Sequence, residues 1–341
     1  MSESTTRRVR RWGLIIPAIL FVVLALGWTA YWHILKDQAA RRIEAALAHE
    51  RAAGAEANAT IVRAWGFPLE LAFDLADVSY APADGAWRAS TQRMRLNVSP
   101  TNPQHLIAEL PAPLTLAFRG ERGTTLTGEG LIVSIRTRGN ALAQAGVEGA
   151  NVRYADPAPD GRSFTAGRLV ANLRPDPRTQ SAYQFSLDIE NFGLARPVRA
   201  FEPFGTIIER ASARIVLERG AALMQLTRRD PLEAWARDNG SASIESARVQ
   251  WGPATIEGRG RVGVDAERRF DGRIDVTFED PAEAIRALSQ SESIPRDARR
   301  ALELFAVGAA LSGDDLDTNV AASDGWLSLG GIRVREIAPL Y

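Results

Sequence analysis

The residues of this chain that could do chemistry are few, and no spacing gathers them into a site. There is no cysteine. Disulfides, thiolate nucleophiles and cysteine metal sites are therefore excluded. There are three histidines, His33, His49 and His105. That leaves little stock for histidine catalysis or a multi-histidine metal site. His105 has no nucleophile motif such as GxSxG near it, so it reads as a surface or packing residue. Gly258-Arg-Gly260-Arg-Val-Gly263 matches GxGxxG, but a dinucleotide site needs a strand before it and a helix directly after. Strand-like sequence flanks these glycines on both sides, so they read as a bulge or a close backbone approach. Gly313-Asp314-Asp315-Leu316-Asp317 gathers three acids, which suits a hard cation. It lacks the EF-hand pattern and its distal Glu, and reads as a solvated loop. Asp230, Asp280 and Asp297 read as helix caps or first-turn acids. Paired carboxylates could lie among the 41 acidic residues, yet no spacing selects a pair. The expectation is no catalytic residue, no metal ligand, no cofactor and no enzyme activity.

The elements that would position any function begin with a membrane segment. Residues 12–35 read WGLIIPAILFVVLALGWTAYWHIL, uncharged apart from His33. As a helix this run spans about 36 Å, enough for a hydrocarbon core of about 30 Å. Trp12 marks one end and Trp28, Tyr31 and Trp32 the other, as in an aromatic belt. Arg7, Arg8, Arg10 and Arg11 precede it, and the positive-inside rule places them in the cytoplasm. The expected location is the bacterial inner membrane, single-pass, with the C-terminal part in the periplasm. A cleaved signal peptide is the rival reading, with Ala25-Leu26-Gly27 as its small-x-small site.

After the anchor the period changes twice. Leu35, Ala39, Ile43 and Leu47 recur at a helical step and predict a helix through Gly54. Then Leu69-Glu70-Leu71-Ala72-Phe73-Asp74-Leu75 alternates large apolar and mostly polar residues, as a strand with one buried face does. Similar runs occupy 87–98, 114–119, 131–137, 163–173, 183–190, 211–217, 243–251, 255–264 and 269–278. Turns between them carry Gly, Pro, Asp and Asn. Helices are predicted at 230–239, 280–290 and 295–311, the first two opening on Asp-Pro.

The fold class is therefore mainly β with a few helices (α+β). An N-terminal transmembrane helix leads through a helical stalk to a large curved antiparallel sheet or groove. The expected organisation is a cytoplasmic basic arm (1–11), a transmembrane anchor (12–35), a stalk (36–58) and a periplasmic β-rich domain (59–341). If that domain has two halves, they divide near 156–178. The 341 residues carry zero formal net charge, so nothing marks a nucleic-acid binder.

Three segments carry a family likeness. They are Ala64-Trp65-Gly66-Phe67-Pro68-Leu69-Glu70-Leu71, Val249-Gln250-Trp251-Gly252-Pro253 with Glu257-Gly258-Arg259-Gly260 and Phe270-Asp271-Gly272, and Asp324-Gly325-Trp326 with Ile337-Ala338-Pro339-Leu340. On these the chain resembles the alphaproteobacterial domain of unknown function 2125 family. More distantly it is similar to AsmA-like envelope proteins. The resemblance implies an inner-membrane anchor, a β-rich groove in the periplasm, and a part in envelope lipid homeostasis.

Two functions compete at this point. A sheet with one apolar face beside a membrane could hold acyl chains, with Leu69, Leu71, Phe73 and Leu75 as candidate groove residues. Alternatively its edges could pair with envelope proteins and make it an assembly scaffold. Expected partners are thus the inner membrane, with lipid or envelope proteins; no nucleic acid or nucleotide is expected. Whether the sheet closes over a packed core or leaves an open trough separates the readings.

Overall fold

In a computed structural model of the chain, the described residues are 12–99, 102–118, 123–139, 141–158, 161, 163–225, 230–291, 300, 303, 306–307 and 315–340. The anchor and the predicted stalk are one helix, α1 (Trp12–Ala52). Pro17 lies inside it, in the second turn. From Ile19 to Leu26 its large apolar side chains are more than half exposed. Among the described residues α1 is the one helix long and apolar enough to cross a membrane.

Sixteen strands follow in one antiparallel sheet. They are β1 (Glu56–Trp65), β2 (Leu71–Ala81), β3 (Trp87–Ser99), β4 (Asn102–Glu109), β5 (Leu114–Phe118), β6 (Thr124–Arg138), β7 (Ala141–Ala155) and β8 (Phe164–Pro175). The second half holds β9 (Tyr183–Leu194), β10 (Ile207–Glu218), β11 (Ser241–Trp251), β12 (Ala254–Val264), β13 (Phe270–Glu279), β14 (Leu316–Ser323), β15 (Trp326–Leu329) and β16 (Ile332–Glu336). Spatial order follows chain order, except that β4 and β5 share the gap between β3 and β6. β4 pairs with the end of β3, and β5 with its start.

The stalk is shorter than the sequence suggests: α1 ends at Ala52, and the first strand already begins at Glu56. The stretches near 156–178 are hairpin turns rather than a division. Asp156 and Asp176 each accept a backbone N–H two residues on, at 2.9 and 3.1 Å. Through both turns the ladder continues unbroken, β7 to β8 to β9. The GxGxxG glycines lie inside β12, paired with β13. A Cβ on Gly260 would stand 2.2 Å from the Arg273 carbonyl oxygen, so close strand approach explains that glycine.

Two short helices, α2 (Pro231–Arg237) and α3 (Pro281–Ser289), sit where Asp-Pro predicted them. Asp230 and Asp280 hold the N-cap positions without a side-chain capping bond. The third predicted helix, 295–311, lies almost wholly outside the described residues, as do Gly313 and Asp314 of the acidic run. Asp317 accepts a 2.7 Å hydrogen bond from Thr277 across β13 and β14.

The molecule is not folded around one closed core. A compact monomer of this mass exposes about 13,600 Å². This chain, 37.1 kDa, exposes 22,253 Å². Among the described residues, three small clusters of buried side chains form where a helix meets the sheet, and others such as Leu131, Val152 and Ala166 are buried elsewhere along it.

Candidate functional site

The largest cluster joins α1 to the first strands. Trp32, Leu35, Leu71, Phe73, Leu75 and Val98 are buried together. Two indoles fix the helix to the β1–β2 turn: Trp28 Nε1 donates to the Pro68 carbonyl at 2.7 Å and Trp32 Nε1 to the Glu70 carbonyl at 2.8 Å. Further out, the Tyr80 hydroxyl donates to Glu50 Oε2 at 3.0 Å. That bond to a carboxylate, with burial and charge adding to it, raises the Tyr80 pKa. α1 and β2 thus run side by side from Trp28 to Glu50, about 33 Å of helix.

Between the two ties the helix stands off the sheet and leaves a cleft of about 440 Å³. Ala39, Ile43 and Leu47 line it from α1, and Leu75, Met94, Leu96, Val98 and Leu106 from the sheet. Gln38, Arg42 and Glu50 are among its few polar lining residues. Its size and apolar lining suit a small apolar ligand.

The cleft is the start of a longer surface. Directly opposed residues of an antiparallel pair point to the same face. One such row runs Leu71, Val98, Leu106, Ile135, Ala145, Leu173, Phe185, Ile215, Ile244, Gly260, Ile274, Val320. The neighbouring row runs Phe73, Leu96, Ala108, Val133, Val147, Ala171, Leu187, Ala213, Ala247, Gly258, Val276. No polar side chain interrupts either row as far as β13; on β14 the first row ends at Val320 and the second meets Thr318. At a strand spacing of about 4.8 Å, fourteen steps make the sheet about 67 Å wide. Under α1, Leu71 and Phe73 are at 0% exposure and Leu96 is partly buried; at Leu106 and Ile135 exposure reaches 38%. From β6 to β13 the described apolar residues of both rows stay partly exposed.

The helices of the second half rim this face. α3 and the 3-10 turn Arg199–Phe204 pack on Trp251, Ala254 and Ile256, where β11 ends and β12 begins. α2 packs on Ala242 and Val264, at the other ends of those strands. The two helices are therefore about 30 Å apart along β11, at about 3.3 Å per residue. The rows Ile215–Ile244–Gly260–Ile274 and Ala213–Ala247–Gly258–Val276 pass between them as a floor.

The opposite face is charged. Asp74 Oδ1 and Oδ2 accept from Arg95 at 3.0 Å and Arg63 at 2.9 Å, and both guanidinium groups stack on Trp65. Arg95 also reaches Glu109, and Arg248 binds Glu279 at 2.7 Å and Glu257. Burial by itself would raise the Asp74 pKa, but the hydrogen bonds from Arg95, Arg63 and Trp65 outweigh it and hold the carboxyl below its ordinary value. A lowered native pKa stabilises above the unfolded value, and the contribution is lost as pH falls through the native one. Asp74→Asn should cost about 1 kcal/mol at neutral pH, since the group is only partly buried. Its deficit against wild type should shrink toward zero at acid pH. Urea unfolding of the detergent-solubilised chain at neutral and acid pH measures this, and an equal deficit at both refutes it.

The four sequence-predicted groove residues fall in three places. Leu75 lines the cleft. Leu71 and Phe73 lie beneath α1 and are closed off. Leu69 precedes β2 and is 78% exposed in the turn. His105 shares a 3.2 Å hydrogen bond with Ser134 Oγ on the polar face; among the described residues no carboxylate bonds its ring. Among the described residues no three His, Asp or Glu side chains gather as metal ligands. Sequence reading missed the indole ties of Trp28 and Trp32, assigning both rings to the bilayer interface. Their i, i+4 spacing, which puts both rings on one face of the helix, was the available signal.

The family model described as an uncharacterized protein conserved in bacteria (DUF2125) matches residues 32–338, and the chain belongs to that family. No curated protein matches it, and no solved structure does.

Proposed function

We propose that this DUF2125 member is a lipid-handling protein, anchored in the bacterial inner membrane by residues 12–35 with its sheet in the periplasm. In this reading, acyl chains lie on the apolar face and the cleft beside α1 is their first station. One observation carries it: the apolar rows extend across the sheet, yet among the described residues the helix–sheet clusters lie near β1–β3 and at the rims of β11–β12. An apolar surface of that extent left open in a monomer marks a binding surface. The cleft adds support, because it runs along α1 directly above the anchor. Its helical wall from Leu35 to Glu50 is about 22 Å long, against about 15 Å for one leaflet's hydrocarbon. Arg42 and Gln38 stand on that wall, where a phosphate headgroup would find donors.

The same reading accommodates the distant likeness to AsmA-like envelope proteins and an alphaproteobacterial origin. It assigns the chain no catalysis.

Native mass spectrometry of the full chain, released from membranes in mild detergent, tests the proposal. Phospholipid adducts that survive detergent removal are expected. A lipid-free protein would overturn the reading, and a stoichiometric protein partner without lipid would put a scaffold in its place.

A further inference from the structure

We infer that the β1–β2 turn, Gly66 to Glu70, is a second membrane contact that sits in the outer boundary of the bilayer beside α1. This rests on the anchored reading above.

Three features support this placement. The first is level. A hydrocarbon core of about 30 Å takes about 20 helical residues, so a span starting just after Trp12 ends near Trp32. The turn is tied to α1 at that height, through Trp28 to Pro68 and Trp32 to Glu70. Phe67 also meets the Trp32 ring edge-on, with centroids 5.6 Å apart.

The second is the side chains. Phe67 is 50% exposed and Leu69 78% exposed, adjacent to a proline at the tip. Tyr31, also exposed, lies on the same stretch of helix as the two indoles. Aromatic and aliphatic groups in this arrangement form the belt found at membrane–water interfaces. Glu70 closes the turn on the strand side, where its carboxylate reaches the hydrated headgroups.

The third is the backbone. A segment entering lipid must satisfy its polar groups internally. Here the Gly66 carbonyl accepts the Glu70 N–H at 2.8 Å, and the Pro68 and Glu70 carbonyls accept the two indoles. Pro68 has no N–H to satisfy. The ties that hold the turn to the helix therefore also desolvate it at low cost.

The consequence for the lipid reading is orientation. An anchor helix alone leaves the sheet free to swing. Two contacts, α1 and the turn, fix β1 and β2 along the membrane normal and set the mouth of the cleft at headgroup level.

The cysteine-free chain makes the test direct. Leu69→Cys, Leu24→Cys and Ala86→Cys are each labelled with nitrobenzoxadiazole. Each full-length protein is then reconstituted in phosphatidylethanolamine–phosphatidylglycerol vesicles. Position 24 lies within the anchor, and position 86 in the hairpin at the far end of β2. The expected result is a blue-shifted label at 69, quenched several-fold more by headgroup-proximal nitroxide lipid than the label at 86. Poor access of aqueous iodide to 69 should accompany it. Phe67→Cys should repeat the result. Labels at 69 and 67 that match 86, or that resist both quenchers, overturn the inference while a lipid-quenched label at 24 keeps the anchor. A water-accessible label at 24 sinks the anchored reading itself.

Discussion

Replacing Phe73 with alanine is expected to destabilise the protein by about 3–5 kcal/mol, whereas Leu69→Ala should change stability by less than about 0.5 kcal/mol. The two residues belong to one alternating run and look equivalent in sequence. In the fold, Phe73 is fully buried between Trp32 and Leu35 of α1 and the first strands, and Leu69 is 78% exposed. Removing the Phe73 ring leaves a cavity that the paired backbone of β1–β3 cannot collapse into, so the cost includes lost dispersion as well as transfer. It should also loosen α1 from the sheet, because the indole bonds of Trp28 and Trp32 flank the same cluster. Tryptophan fluorescence during urea unfolding of the full chain in detergent reads both effects. Equal midpoints for the two variants would show that the cluster does not hold the helix.

What made the strands legible was alternation with large residues. Leu71-Ala72-Phe73-Asp74-Leu75 needs no partner to be recognised, because a period of two with bulky odd positions has one physical meaning. β7 went unread for the opposite reason. Its floor positions are Ala145, Val147 and Gly149, small residues whose alternation carries little hydrophobic contrast, although they lie between Ile135 and Leu173 on the apolar face. β1 failed likewise, since Ala57 and Ala59 on one of its faces are small and give little contrast. β4 is short and contains Pro103, which argues against a strand unless the neighbouring ladder is known.

The site was less legible than the fold, because its defining property is register. A one-residue slip in any pair would move that strand's apolar set to the charged face. The row from Leu71 to Val320 exists only after every pairing is fixed, and no single segment displays it. The helix–sheet cleft is similar: the step of Ala39, Ile43 and Leu47 was visible, but the gap opposite Met94 and Leu96 follows from the ties at Trp32 and Glu50. The glycines at 258 and 260 were readable as packing rather than nucleotide residues, and the floor of the second half is where they pack.

That floor supports the decisive variant. Ile274→Asp is expected to fold, to lose no more than about 2 kcal/mol of stability, and to abolish co-purifying lipid. Ile274 is paired with Gly260 on one side and Val320 on the other and is partly exposed between the α2 and α3 rims. In a dry core an unpaired carboxylate would cost far more, because nothing there could solvate the charge. On an open trough it keeps water, and what it destroys is the continuity of the apolar surface that an acyl chain needs. The matched control is Asp275→Ala, one residue along and on the opposite face, where the carboxylate's salt bridge to Arg273 is largely exposed. It should leave both lipid content and stability unchanged. Circular dichroism with native mass spectrometry of the three proteins separates the cases. A folded Ile274→Asp protein that still carries wild-type lipid would remove this face from the binding surface. An unfolded one would mean that the rows are a core.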